Sequence, residues 1–208
     1  DIVAGVILCA MRQEQNSLEV VNLCIEHNDV IGFDLAGPEV GFSVLNHSEA
    51  CSLAVENNIN VTLHADWEVA EGIKEVVIDS KAKRVGHGSQ IINDIAFNNG
   101  EVTFQNTAAQ YVFDNNIALE ICPTSNVQCG AYSDVSEHSF GELFNAGFNV
   151  TINTDNRLMS DITMSEEVNN VVESFGLDEK DILGITKNTI EAGFVKPELK
   201  NKALKKLS

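Results

Sequence analysis

Positive charge is scarce in this 208-residue chain. Thirteen lysines and arginines stand against 31 aspartates and glutamates, a formal net charge of -18 at pH 7. A nucleic acid or an anionic membrane would meet repulsion here instead of releasing counterions, so neither is expected as a partner. No apolar run approaches ~18 residues, which argues against a membrane-spanning helix. The five cysteines, Cys9, Cys24, Cys51, Cys122 and Cys129, are odd in number and include no Cys-x-x-Cys pair. Neither a disulfide framework nor a thiolate zinc site follows, and they read as small core residues of a protein in a reducing cytoplasm. No Pro/Gly/Ser-rich tract divides the chain, so residues 1–208 read as one domain. The opening run from Asp1 to Leu8 has neither an initiator Met nor a basic segment. It is not a signal peptide, and it reads as a chain cut inside a strand.

What the sequence does contain is an alternation of short apolar runs with helix-period segments. Val3 to Cys9, Val30 to Leu35, Asn60 to His64, Arg84 to His87, Ala118 to Cys122 and Phe148 to Asn153 read as strands. Between them lie helices opened by Ser17 and around Ser48 to Glu56, a helix marked by Ile73, Val76 and Val77, and helical pieces running to Val112. Ser139-Phe140-Gly141-Glu142 has the spacing of a capping box, with its helix ending near Gly147. Ser165 to Phe175 and Asp178 to Ala192 close the chain, their Glu166-Glu167 and Asp178-Glu179 pairs complementing the helix dipoles. Lys196, Lys200, Lys202, Lys205 and Lys206 belong to a solvated C-terminal helix. Strands recurring about every thirty residues with helices between them imply a parallel sheet. About six strands are present, against the eight and ~250 residues of a closed (β/α)8 barrel.

Polar residues cluster where the strands end. Asp34, His64, His87, Glu120 and Asp155 each stand at or near the C-terminal end of an apolar run. A barrel gathers those ends on its active face, so five such residues outweigh any one taken alone. Imidazole and carboxylate suit catalytic zinc, which keeps one position open for water and lowers that water's pKa to ~7. His87, between Gly86 and Gly88, is placed to approach that water closely and take its proton. His27, His47 and His138 lack the strand-end position and read as surface or structural residues.

Gly32 to Glu39, Thr62-Leu63-His64-Ala65, Arg84 to Gly88, Leu119 to Asn126 and Asn153-Thr154-Asp155-Asn156 resemble, in order and spacing, the motifs of the adenosine deaminase family. The resemblance covers essentially the whole chain. It implies an incomplete (β/α)8 TIM barrel with about six of eight parallel strands plus C-terminal helices, N-terminally truncated and prone to self-association through open barrel edges. It also implies a cytoplasmic zinc hydrolase that removes the 6-amino group of adenosine or deoxyadenosine. Carried over by position, His64 and Asp155 are expected as zinc ligands and His87 as the residue acting on the water. Gly37 is expected to contact the nucleoside through its backbone. Asn156, where many members have Asp, can still donate to purine N7.

Two departures accompany the resemblance. The family's His-x-His pair, which supplies two further zinc ligands, has no counterpart in this chain. The family's His-Ala-Gly-Glu run, whose Glu protonates purine N1, is here His64-Ala65-Asp66-Trp67-Glu68. Glu68 is the preferred proton donor on carboxylate reach, with Asp66 the alternative. Other readings are a deaminase of adenine, a nucleotide or a modified nucleoside, or an impaired purine-binding barrel fragment. No basic cluster stands near these strand ends, apart from Arg157 beside Asn156, which favours a nucleoside over a nucleotide.

Overall fold

The computed structural model describes residues 3–65, 72–98 and 101–207. Six parallel strands form an arc: β1 (Val6–Met11), β2 (Val30–Ala36), β3 (Thr62–Ala65), β4 (Arg84–His87), β7 (Ala118–Ile121) and β8 (Val150–Ile152). β1 pairs with β2, and β3, β4, β7 and β8 pair in that order. A bridge between Phe33 and Val61, with the Phe33 amide donating to the Asn60 carbonyl at 2.8 Å, joins the two sets into one curved sheet. Helical segments lie between successive strands of the described chain, the arrangement of the arc of a (β/α)8 barrel.

The register sorts the side chains. Leu63, Val85, Leu119 and Val150 stand side by side on adjacent strands and are buried completely or nearly so. Successive strand residues point to opposite faces, so this apolar row lies on one face and the row His64, Gly86, Glu120 and Thr151 on the other. The apolar row joins Phe33 and Leu35 in the core, each such side chain contributing roughly 1.5–3 kcal/mol by burial. On the opposite face Arg84 Nε pairs with Glu120 Oε1 at 2.8 Å, and Thr62 Oγ1 donates to Glu120 Oε2 at 2.7 Å. Glu120 is therefore consumed by a structural ion pair beneath the strand ends, although the sequence pattern groups it with the site residues.

Helices α1 (Ser17–Glu26), α2 (Ser48–Glu56), α8 (Met164–Phe175), α9 (Glu179–Ala192) and α10 (Pro197–Leu204) lie close to their expected spans. No described helix is long and apolar enough to cross a membrane. A one-turn helix, α3 (Gly72–Lys74), runs into a π-turn over Glu75–Asp79. The expected helical pieces before Val112 are present in part, beginning with a 3-10 helix over Ser89–Asp94. β5 (Ile95–Asn98) and β6 (Glu101–Phe104) form an antiparallel pair ahead of α4 (Thr107–Asp114). Its signal was legible: two alternating segments flank Asn99-Gly100, a dipeptide typical of tight hairpins.

The capping box at Ser139 does not form. α6 (Phe140–Asn145) follows Ser139, whose hydroxyl instead donates to the Ser89 carbonyl at 2.9 Å and meets Tyr132 Oη at 2.9 Å. The hydroxyl is held by this buried tertiary acceptor and does not accept from the amide of its own helix. Boxes do close at Thr163 with Glu166 and at Asp178 with Asp181.

Candidate active site

The polar strand ends meet around one cavity of about 160 Å³, walled by Gly37, Glu39, His64, His87, Ser125, Asn126, Cys129 and Asp155. His64 sits on β3 directly beside Gly86 of β4. A Cβ at Gly86 would lie 2.9 Å from His64 Cγ, so only glycine lets the imidazole lie against the neighbouring strand. His64 Nδ1 is 3.0 Å from Asp34 Oδ1, leaving Nε2 as the nitrogen available to the cavity. The pair has the form of the outer-shell carboxylate that commonly orients a metal-binding histidine. Arg12 braces the strand end with hydrogen bonds to the carbonyls of His64 and Phe42. The Arg12 carbonyl is in turn 2.9 Å from buried His47 Nε2, whose Nδ1 lies 2.9 Å from Ser17 Oγ.

His87 ends β4 and Asp155 follows β8, and both adopt left-handed backbone, with φ of 59° and 55°. For residues with a Cβ this costs of order 1–3 kcal/mol each, and such strain concentrates at functional sites. Here it turns two side chains toward one another: His87 Nε2 is 3.8 Å from Asp155 Oδ2. The His64 and His87 rings meet edge to face, 5.3 Å between centroids.

A turn after β7 supplies the rest of the wall. α5 (Pro123–Gln128) begins with proline, and its first turn carries Ser125 and Asn126. Ser125 Oγ donates to Asp155 Oδ2 at 2.7 Å, and Asn126 Nδ2 lies 3.2 Å from His87 Nδ1. Buried Glu167 of α8 holds this turn, accepting from Thr124 N at 2.9 Å and from Thr124 Oγ1. Its carboxylate thus serves the first-turn amide of another helix, where the sequence pattern assigned it to its own helix dipole.

Electrostatics follow from the carboxylates. Burial is the largest influence on His64 and disfavours its protonated form. The hydrogen bond and charge of Asp34, with the charges of Glu120 and Asp155, outweigh burial and hold the His64 pKa above its ordinary value. A field that favours a proton also favours a cation. Of the donors that line this cavity, His64 and Asp155 stand where the family resemblance expects zinc ligands, and two are fewer than the three protein ligands of a catalytic zinc site. Among the described residues, one group of three has all its ligand atoms within 4.8 Å of one another: His87, Cys122 and Asp155.

Of the residues singled out in the sequence, Gly37, His64, His87 and Asp155 share the cavity wall. Gly37 has φ of +105°, and a Cβ there would meet Gln13 Oε1 at 2.6 Å, so the position requires glycine. Asn156 stands next to Asp155 outside the described cavity wall and caps α7 (Arg157–Ser160), accepting from Leu158 N and Met159 N, both at 3.2 Å. Glu68 and its alternative Asp66 lie outside the described residues. Sequence reasoning passed over Ser125, Asn126 and Glu39 in the wall, although all three fall inside quoted motifs. His138, read as surface or structural, is buried and bonded to Asn126 at 3.1 Å, Nε2 to Oδ1.

Residues 2–208 match the family described as adenosine deaminase. Adenosine deaminase of Mycobacterium ulcerans (strain Agy99) is 40% identical over 193 residues, covering 91% of this chain and 53% of the relative. Adenosine deaminase of Mycobacterium leprae (strain TN) is 38% identical over 192 residues, again 91% of this chain and 53% of the relative. This chain therefore spans about half the length of the curated relatives it matches. Among solved structures, adenine deaminase from Arthrobacter aurescens superimposes with a TM-score of 0.86 at 21% identity, covering 98% of this chain and 60% of that one. The Arabidopsis N6-mAMP deaminase gives 0.83 at 25% identity over 98% of this chain and 58% of that one. An amidohydrolase from Burkhoderia ambifaria, with bound Zn, gives 0.81 at 20% identity over 97% and 55%. Sequence and fold agree, and the chain belongs to the adenosine deaminase family.

Proposed function

We propose that this chain carries the His64–His87–Asp155 side of a zinc-dependent adenosine deaminase site. The observation that supports this reading most is the convergence of His64, His87 and Asp155 on one acidic cavity at the C-terminal ends of three barrel strands. His64 Nε2, oriented from behind by Asp34, and Asp155, steadied by Ser125, would hold zinc together with two imidazoles from a chain of the relatives' length. Zinc in that position would supply the Lewis acid that makes water nucleophilic at neutral pH.

The remaining steps belong to this chain's residues. His87 addresses the water oxygen beside Asp155 and aims it at the carbon bearing the amino group. Gly37 offers backbone to the nucleoside, in a turn with no side chain to obstruct it. The Asn156 amide oxygen is engaged in capping α7, which leaves its NH2 to donate to purine N7. Glu68 gives a proton to N1 as the water oxygen bonds to the ring carbon, and cleavage of the exocyclic C–N bond then releases the amino group as ammonia and leaves the 6-oxo purine. Glu39, buried in the cavity wall, is the carboxylate to compare with Glu68.

Adenosine is preferred because the relatives at 38–40% identity carry that name. The reading is tested with a chain extended to its relatives' length, by zinc content and by turnover of adenosine, adenine and adenosine monophosphate. About one zinc per chain with adenosine turned over best supports it. A zinc-loaded protein inert on adenosine but active on another purine transfers the site to that substrate, and one inert on all three leaves a purine-binding barrel.

A further inference from the structure

A chain of hydrogen bonds runs from the backbone of α6 to the cavity, and each link decides the next. The amide of Phe140 donates to His138 Nδ1 at 2.9 Å. A backbone N–H is only ever a donor, so His138 Nδ1 carries no proton and its Nε2 does. That Nε2–H lies 3.1 Å from Asn126 Oδ1, an acceptor only. The Asn126 amide is thereby oriented with its NH2 toward His87 Nδ1, at 3.2 Å. His87 Nδ1 must then accept, which leaves the His87 proton on Nε2, the nitrogen 3.8 Å from Asp155 Oδ2.

We propose that Asn126 and His138 are positioning residues that lock His87 in the Nε2-protonated tautomer, so that it meets the cavity as a hydrogen-bond donor. In this state His87 has no bare nitrogen facing the cavity with which to take a proton. It orients an oxygen lodged beside Asp155 by donating to it. His138 suits the part because it is buried, packed on the Tyr132 ring at 4.1 Å between centroids, and kept neutral. Burial first, and then the neighbouring His87, push its pKa down to about 4. A neutral His138 offers the one proton and one lone pair the relay needs.

The catalytic meaning of this relay rests on the deaminase reading; the tautomer does not. The test is a long-range 1H–15N correlation spectrum of the uniformly labelled chain in metal-free buffer at about pH 8, above the ordinary histidine range. His87 is assigned through His87→Gln and His138 through His138→Phe. Both rings are expected to show a protonated Nε2 and a bare Nδ1. In Asn126→Asp, which keeps the side chain's shape, a carboxylate replaces the NH2 donor, and the His87 proton moves to Nδ1. A wild-type His87 protonated on Nδ1 overturns the proposal, as does an Asn126→Asp protein with the wild-type His87 pattern. Unchanged His87 shifts in His138→Phe would remove His138 from the relay.

In a zinc-loaded chain of the relatives' length, Asn126→Asp is expected to lower kcat about 10- to 100-fold with KM little altered, the usual effect of an outer-shell partner. A KM rise with kcat intact would count against a positioning role. If the wild type of that longer chain deaminates nothing, the functional reading fails, while the spectra still decide the tautomer.

Discussion

Removing the Glu167 carboxylate is the sharpest test of how the cavity wall is built. Glu167 lies on α8 yet is fully buried, and it accepts from both the amide and the hydroxyl of Thr124 at the start of α5. That amide belongs to the first turn of α5, where no intrahelical acceptor exists. Hydrogen bonds to an ionised group contribute about 1.5–3 kcal/mol each, so two of them total about 3–6. Glu167→Ala also relieves a buried charge of its desolvation, which offsets part of the loss, and about 4 kcal/mol remains. For a chain of this size that corresponds to a fall in melting temperature of about 8–16 °C. Glu167→Gln should cost only about 1 kcal/mol, because its oxygen can accept from Thr124 N while its NH2 donates to Thr124 Oγ1. Thermal melts followed by circular dichroism compare the three proteins directly. An Ala variant melting within about 2 °C of wild type, or a Gln variant falling as far as the Ala one, would refute the reasoning.

Other expectations follow from single contacts. His138 has a folded-state pKa of about 4 against an ordinary 6.5, so the unfolded chain takes up its proton first. Its contribution is full above pH 6.5 and is lost as pH falls towards 4, about 3 kcal/mol in all. Urea unfolding across that window should show the loss, and His138→Phe should flatten it; an unchanged slope in the variant would assign the loss elsewhere. Ser125→Ala removes the 2.7 Å bond to Asp155 Oδ2 and should weaken zinc binding about 10- to 100-fold in a chain of the relatives' length, measured by chelator competition. Equal affinity would show that Asp155 needs no such support. Gly86→Ala would place a Cβ 2.9 Å from His64 Cγ and 3.0 Å from its Cα, an overpacking of about 1–3 kcal/mol. Its melt should drop accordingly, and a variant as stable as wild type would mean the strands part without cost.

Asn156 shows how one residue can satisfy a motif and a local structural need together. Its sequence position suggested a hydrogen bond to a purine, and its oxygen turns out to cap α7. Capping occupies only the oxygen, so the proposed bond to a purine would use the other atom, the NH2.

Much of the architecture was legible in the chain itself. Period-two and period-3.6 patterns are local, and they mark the six parallel strands and the long closing helices. Strand-end position marks His64, His87 and Asp155, because a parallel barrel must bring all its strand ends to one face. The antiparallel β5–β6 pair carried a local signal in the dipeptide Asn99-Gly100, which the reading as helical pieces passed over. What only the folded chain decided are the partners of buried polar groups. Ser139 forsakes its capping box for Ser89, Glu120 is taken by Arg84 and Thr62, and Glu167 caps a helix 43 residues away in sequence. His138 reaches His87 through Asn126 by the same rule. Burial removes water as a competitor, so each polar atom must find whatever donor or acceptor the packing brings within about 3 Å. No local pattern records that choice, because the partner is selected by tertiary packing after the strands and helices are in place.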